Sequence, residues 1–387
     1  MGNIEKLTYP STHCGIVRAA TVLLKLENHP AADRYDAGTV ETMVEEASAP
    51  DRMGDRLQGS GLHYYCSVTP EGVTRTVRGY EGIFPNSLGD LAPSPLTMMT
   101  SEYITAIALE RLGNRCAAAK CLARAAHMLA DVCCPPHSAG LSYYSRYASN
   151  HKRYESDGET YFWNEKFGTD DPVTAAEKWA ALCVGQVPYE KYESLLKGDP
   201  DGDLVRKMSR FPDICREIAL SGAGELPSVL SNDQELRRQS IDRRLILSVV
   251  HTAALFAAFD RDVRDESIRV PQERIPYRLY SFGAGKTLFR EPLYVRFTED
   301  GSIELLTQEG AYLAVTRFGS VRLTDQTAGM TTRFRFGFEP MMTLYPNGDI
   351  YHLLAVIGKR FCSIRRGLHK RSPHFSRQTG FRLDAAD

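Results

Sequence analysis

Apolar residues recur at helical spacing through roughly the first 260 residues, then give way to short alternating runs beyond about residue 277. The run H-C-G-I-V-R-A-A-T-V-L-L-K-L predicts a first helix, with Thr12 as its cap and Glu27-Asn28 at its end. Residues 33–47 suggest a short acidic helix, and 97–112 again have helical periodicity. Asn114 opens a helix whose body is Ala118, Ala119, Leu122, Ala125, Ala126 and Leu129. A helix built from small apolar residues is expected to be central and closely packed. Pro135-Pro136 stops it, and His137 then lies just past its end. Asp171-Pro172 and Thr174 start a helix that includes Trp179, and further helices fill 188–220. Leu236, Ile241, Leu245, Val249, Val250 and Leu255 mark a long amphipathic helix over 233–260. Residues 49–66, rich in Gly, and the stretch from Asp157 to the aromatic cluster Tyr161, Phe162, Trp163 read as loops.

The change of pattern defines the expected organisation. Residues 1–262 form an all-α domain, 263–276 a charged, Pro-punctuated linker, and 277–387 a small all-β domain. Turn signals such as E-D-G, Q-E-G and P-N-G separate the β-type runs. Residues 302–340 look like a four-strand unit and 341–387 like a looser second copy. The G-A-Y-L-A-V run resembles one unit of a β-trefoil, with a β-sandwich as the alternative. G-A-G-K-T at 283–287 is a loop and not a phosphate cradle, because Tyr280 stands where the first glycine is required.

Composition narrows the class. At 387 residues, 43% hydrophobic and 25% charged, the chain can bury two ordinary cores. A net charge of −1 provides no global field for nucleic acid, and no specific nucleic-acid partner is expected. Lys359, Arg360, Arg365, Arg366, Lys370, Arg371 and Arg377 form a local basic stretch, read as solvated surface. No apolar run reaches ~18 residues and the first residues lack an apolar signal core, so a cytoplasmic protein or a mature secreted form is expected. The nine cysteines have no framework spacing and read as reduced; Cys133-Cys134 is read as structural.

The chemistry concentrates between residues 123 and 155. His127 and Asp131 are four apart on a predicted helix, so both side chains leave one face, and His137 follows close by. His151 and Glu155 repeat the spacing. Neutral imidazoles and carboxylates are ligands that Zn²⁺ accepts, and this spacing lets one helix supply two.

With these residues the helical part resembles the zinc-dependent phospholipase C family of bacteria. The carrying motifs are S-T-H at His13, A-P-D at Asp51, G-L-H-Y-Y at His63, H-x3-D-x5-H over His127, Asp131 and His137, and H-x3-E over His151 and Glu155. The resemblance runs from about residue 10 to 180, and more loosely to 260. It implies three zinc ions in one cleft. Asp51, His63, His127 and Asp131 would hold the first; His137, His151 and Glu155 the second. Asp131 would bridge to the third, completed by His13 and the N-terminal amine, here expected at Gly2 after removal of Met1. It also implies Asp51 as the catalytic group that orients or deprotonates water, with a phosphoester as substrate, phospholipid among the candidates.

This chain departs from the pattern after Asp51, where choline-selective relatives carry an aromatic and this chain has Arg52. A cationic headgroup would be repelled there, so a neutral or anionic headgroup is expected. The β-region could contact a membrane surface or carbohydrate. Two alternatives remain at this level: a single-strand nuclease or soluble phosphoesterase of the same superfamily, or a non-enzymatic, zinc-stabilised binding protein. Glu155, where nucleases of this type carry Asp, favours the phospholipase branch.

Overall fold

The computed structural model describes residues 12–52, 63, 95–141, 146–160, 165–193, 195–196, 210–268, 270–281, 285–298, 301–316, 321–326, 330–336, 344–346, 361–365, 368–372 and 381–386. A helical region comes first. It comprises α1 (Thr12–Leu26), α2 (Ala37–Glu46), α3 (Ala49–Arg52), α4 (Pro95–Arg111), α5 (Arg115–Cys133), α6 (Pro135–Ser138), α7 (Ala148–Thr160), α8 (Pro172–Cys183), α9 (Tyr189–Tyr192), α10 (Phe211–Ala223), α11 (Leu226–Leu230) and α12 (Gln234–Arg264).

The central helix is α5. Asn114 caps it by accepting the Ala117 N–H, and α1, α2, α4, α10 and α12 pack around it. Its small residues let those neighbours approach closely: Ala118, Ala123 and Ala125 are fully buried. The long α12, capped by Asp233, is buried along much of its length, including Val249, Ala253, Ala254, Leu255 and Phe256. Arg111, the last residue of α4, closes the far end of α12. Its guanidinium donates to the carbonyls of Asp262 and Val263, which the helix end leaves without intrahelical partners, and to those of Asp265 and Ile268 just beyond it.

Three local readings are corrected. Asp51 is on the short helix α3 rather than in a loop, and α7 continues to Thr160, past the expected break at Asp157. Pro135-Pro136 ends α5 but also begins α6, with proline in the first turn, where its missing N–H costs nothing. His137 is therefore helical.

The strands follow: β1 (Pro276–Ser281), β2 (Lys286–Thr287), β3 (Leu293–Phe297), β4 (Ile303–Leu306), β5 (Tyr312–Thr316), β6 (Val321–Thr324), β7 (Met330–Thr331), β8 (Arg333–Phe336), β9 (Leu344–Pro346), β10 (Phe361–Arg365), β11 (Leu368–Ser372) and β12 (Phe381–Ala385). All described pairings are antiparallel. The sheet order is β12-β1-β3-β4-β5-β6, with β2 on β1, β7 on β5, and β8 joining β4 to β9. β10 and β11 pair with each other as a separate hairpin. Alternation explains β3, where Leu293 and Val295 point inward. Glu304 on β4 is also buried, because the guanidinium of Arg296 on the neighbouring strand donates to it at 2.8 Å.

The two regions touch at a turn. Gly301 has φ +76°, and a Cβ there would collide with the Glu102 carboxylate on α4 and with Arg124 on α5. Among the described residues no helix is long and apolar enough to cross a membrane.

Candidate metal centre

Five helices and His63 bring the sequence-predicted side chains together. His127 and Asp131 leave α5 one turn apart, Nε2 to Oδ2 at 3.3 Å. Asp131, only 2% exposed, is the hub. Its Oδ2 accepts from His63 Nδ1 at 2.6 Å. Its Oδ1 lies 3.6 Å from His13 Nε2 on α1 and 3.6 Å from His137 Nδ1 on α6. Asp51 stands on α3 with Oδ1 3.6 Å from His127 Nε2 and 3.9 Å from His63 Nδ1. On α7, His151 and Glu155 meet His137: Glu155 Oε1 is 2.7 Å from His151 Nε2 and 2.9 Å from His137 Nε2.

Hydrogen bonds to backbone fix three of the rings. A carbonyl can only accept, so the ring nitrogen facing it must carry the proton. His127 Nδ1 donates to Ala47 O at 2.7 Å, His137 Nδ1 to His63 O at 2.7 Å, and His151 Nδ1 to Leu141 O at 2.6 Å. Each neutral ring then presents a bare Nε2 lone pair to the interior. The Nε2 atoms of His137 and His151 face each other at 3.2 Å, with the Glu155 carboxylate beside both. Lone pairs and an anion converging at that distance repel unless a cation, a proton or a metal, lies among them. Tetrahedral zinc ligands at about 2.0–2.1 Å stand roughly 3.3 Å apart, so the spacing fits a metal without large movement. His13 adds a second sign: its ring stacks on His127 at 3.7 Å between centroids, and its buried Nδ1 has no hydrogen-bond partner among the described residues.

The charge balance is consistent with such a site. Burial disfavours a charged His137, but Asp131 and Glu155 outweigh it and raise that ring to about 9. Asp131 and Glu155 are both held below the usual carboxylate range by the surrounding imidazoles, against the burial that opposes it. Burial, then the neighbouring His127, pushes His13 down to about 4. In the metal-free protein the His137 contribution to stability is therefore present below the ordinary histidine value of 6.5 and lost as pH rises through about 9. The Asp131 and Glu155 contributions have the opposite sense, lost as pH falls in acid.

A metal entering beside His137 must displace that proton. Zinc affinity there is expected to rise with pH, by up to about tenfold per unit for one proton, and to level off above about 9. Competition against a chromogenic chelator across this range measures it. A flat profile would show a ring already neutral.

The centre opens on a cleft of about 420 Å³, whose wall includes Ile16, Ile241 and Leu245 beside Asp51, His137 and Glu155. Gly2 lies outside the described residues, and so does the side chain of Arg52. Two groups on the cleft wall had no functional role in the sequence reading, which took Cys134 as structural. Cys134 has its sulfur grouped with His137 and Glu155 ligand atoms, all within 4.8 Å of one another. Burial, reinforced by Glu155 and Asp131, pushes its thiol well up in the metal-free chain. Glu159 extends the α7 face that carries His151 and Glu155, and burial raises its carboxyl, as do Glu155 and Asp51. The i, i+4 spacing from Glu155 was its signal, hidden by the expected helix break at Asp157.

No protein-family profile matches the chain, and no curated protein matches it in sequence. Solved structures do. Alpha toxin from Clostridium absonum superposes with a TM-score of 0.51 at 14% identity, over 86% of this chain and 88% of that one. Alpha-toxin of Clostridium perfringens from avian strain SWCP gives 0.48 at 12% identity, over 96% and 97%. The first likeness shows a shared fold, a helical region followed by an antiparallel β-region.

Proposed function

We propose that the chain is a zinc-dependent phosphodiester hydrolase of the phospholipase C kind, working through a trinuclear zinc centre. One observation carries the reading: His13, Asp51, His63, His127, His137, His151 and Glu155 are gathered about Asp131 beside a single cleft. The resemblance in sequence motifs and the shared fold support the same reading. Asp51, His63, His127 and Asp131 would hold one ion, and His137, His151 and Glu155 a second. His13, Asp131 and the N-terminal amine, expected at Gly2, would hold the third.

Bound zinc would neutralise the phosphodiester and lower the pKa of water at the site. The chain supplies position and proton handling. The backbone carbonyls of Ala47, His63 and Leu141 lock three rings with Nε2 inward, so no reorganisation is needed during reaction. Asp51 has its side chain 50% exposed at the cleft, placed to orient an attacking water and take its proton. Ile16, Ile241 and Leu245 offer an apolar wall to the organic part of the ester. Arg52 follows Asp51 and would disfavour a choline headgroup.

The strand region would be a separate β-trefoil domain over 277–387, following an α-domain over 1–262 and a linker. The succession of pairs β12-β1-β3-β4-β8-β9, with hairpin β5-β6 branching from β4 at Leu306 and Tyr312 and hairpin β10-β11 separate, favours a trefoil over a sandwich. Such a domain suits contact with carbohydrate or a membrane surface.

The test is zinc content followed by a substrate panel, on protein purified without chelator and without an N-terminal tag. About three zinc ions per chain are expected. Turnover of inositol or glycerol phospholipids should exceed that of phosphatidylcholine; a clear choline preference would overturn the role given to Arg52. Digestion of single-stranded DNA or RNA in preference to lipid would favour the nuclease alternative. A folded, zinc-free protein would sink the catalytic reading and favour a binding protein.

A further inference from the structure

Cys134 is the residue on which α5 ends and α6 begins. Proline at the start of α6 fixes this corner, and the cysteine backbone is extended there, φ −80° and ψ 116°. Two independent observations meet at its side chain. Its sulfur lies in the group with a His137 ring nitrogen and a Glu155 carboxylate oxygen, within 4.8 Å of both. His137 Nε2 and Glu155 Oε1, with His151 Nε2, form the knot of facing lone pairs that calls for a cation. Cys133, next in sequence, is fully buried and belongs to no such group among the described residues.

We propose that Cys134 Sγ is the fourth protein ligand of the subsite formed by His137, His151 and Glu155, which closes that subsite. The inference rests on the zinc reading above. Three protein ligands leave a tetrahedral ion one open position, and a sulfur at hand fills it. The Zn–S bond, about 2.3 Å, is longer than Zn–N, which suits an atom set slightly back from the rings. On binding, the thiol proton leaves to water and the thiolate donates its electron pair to the ion. Thiolate and Glu155 carboxylate together then balance the two positive charges. A closed, charge-balanced subsite holds structure and orients its neighbour, so water activation falls to the ions around Asp131 and Asp51. A soft sulfur ligand also tilts this subsite toward soft metals such as cadmium and makes it the oxidation-sensitive part of the centre.

The experiment uses the full chain, stripped with chelator and then reloaded. Cysteine alkylation by iodoacetamide is followed residue by residue by mass spectrometry, with exposed Cys116 as internal reference. Zinc is expected to slow alkylation of Cys134 by about tenfold or more and to leave Cys116 unchanged. The cobalt-loaded protein should show a near-ultraviolet sulfur-to-metal charge-transfer band, lost in Cys134→Ser and kept in Cys116→Ser. Cys134→Ser should also lose roughly 10–100-fold in cadmium affinity relative to zinc. If about three zinc ions bind while Cys134 alkylates as fast as before, the inference is wrong and the zinc reading stands. Protection without a sulfur band overturns it equally, since the thiol is then only shielded. If no metal binds at all, both fall together.

Discussion

Asp131→Asn is expected to lower phosphodiester turnover by on the order of 10³-fold or more, about 4 kcal/mol of lost transition-state stabilisation. The size follows from the position. One oxygen of this carboxylate faces His63 and His127 and the other faces His13 and His137, so it is the anion shared by the whole centre. The amide keeps the shape but removes the charge, and its NH₂ group points donors where a metal needs an acceptor. Zinc content should fall together with activity, from about three per chain to about one, the subsite of His137, His151 and Glu155 being least dependent on Asp131. The metal-free variant supplies a readout independent of catalysis. Asp131 helps raise His137 to about 9, so its loss removes stability that is present in mild acid. The variant should therefore be destabilised more near pH ~6 than near pH ~9. Full zinc content with near-normal turnover in Asp131→Asn would remove this residue from the centre.

Arg124→Met should give the largest stability loss, roughly 3–5 kcal/mol by denaturant unfolding. Arg124 is 2% exposed. Its guanidinium donates to Glu102 at 3.1 Å and Glu46 at 2.6 Å, and its last nitrogen reaches Cys121 Sγ at 3.0 Å. Methionine of similar length keeps the packing and leaves Glu102, itself 1% exposed, as a buried charge that has lost its Arg124 partner. The penalty is spread across three elements, because Glu46 belongs to α2, Glu102 to α4, and the Gly301 turn of the strand region rests on the Glu102–Arg124 pair. Replacing Glu102 with Gln in the same background should recover part of the loss, since the amide has no charge to bury. A change within about 1 kcal/mol for Arg124→Met alone would mean that water reaches the carboxylates and that the pair is effectively solvated.

Much of the centre was legible because helices print their geometry on the sequence. His127 with Asp131 and His151 with Glu155 are spaced by one turn, and in the structure the members of each pair stand 3.3 and 2.7 Å apart. Asn114, Asp171 and Asp233 cap the helices that they were expected to open or precede. Other parts left no local signature. His13, Asp51 and His63 come from three separate segments, and only their tertiary approach to Asp131 and His127 gives them meaning; family resemblance, not periodicity, singled them out. The two prolines after Cys134 were correctly read as a stop, yet proline is as well suited to begin a helix as to end one. Cys134 was read as structural because adjacent cysteines suggest packing, and nothing in sequence tells the partly buried member from the fully buried one. Among the strands, β3 alternates visibly in L-Y-V-R-F, whereas β11, with its polar H-K-R-S run, gives no alternation to find.

The pairing of β1 with β12 sets an order of events in folding. Tyr277 meets Ala385 and Ser281 meets Phe381, while every other described strand lies between them in the chain. During synthesis β1 must wait for β12, whereas α1 through α7, with their ligands, have already emerged. The nascent chain thus passes through an interval in which the helices bearing the candidate ligands can assemble beside an open β1 edge. During that interval the exposed edge, not the centre, is the part at risk of pairing with another chain.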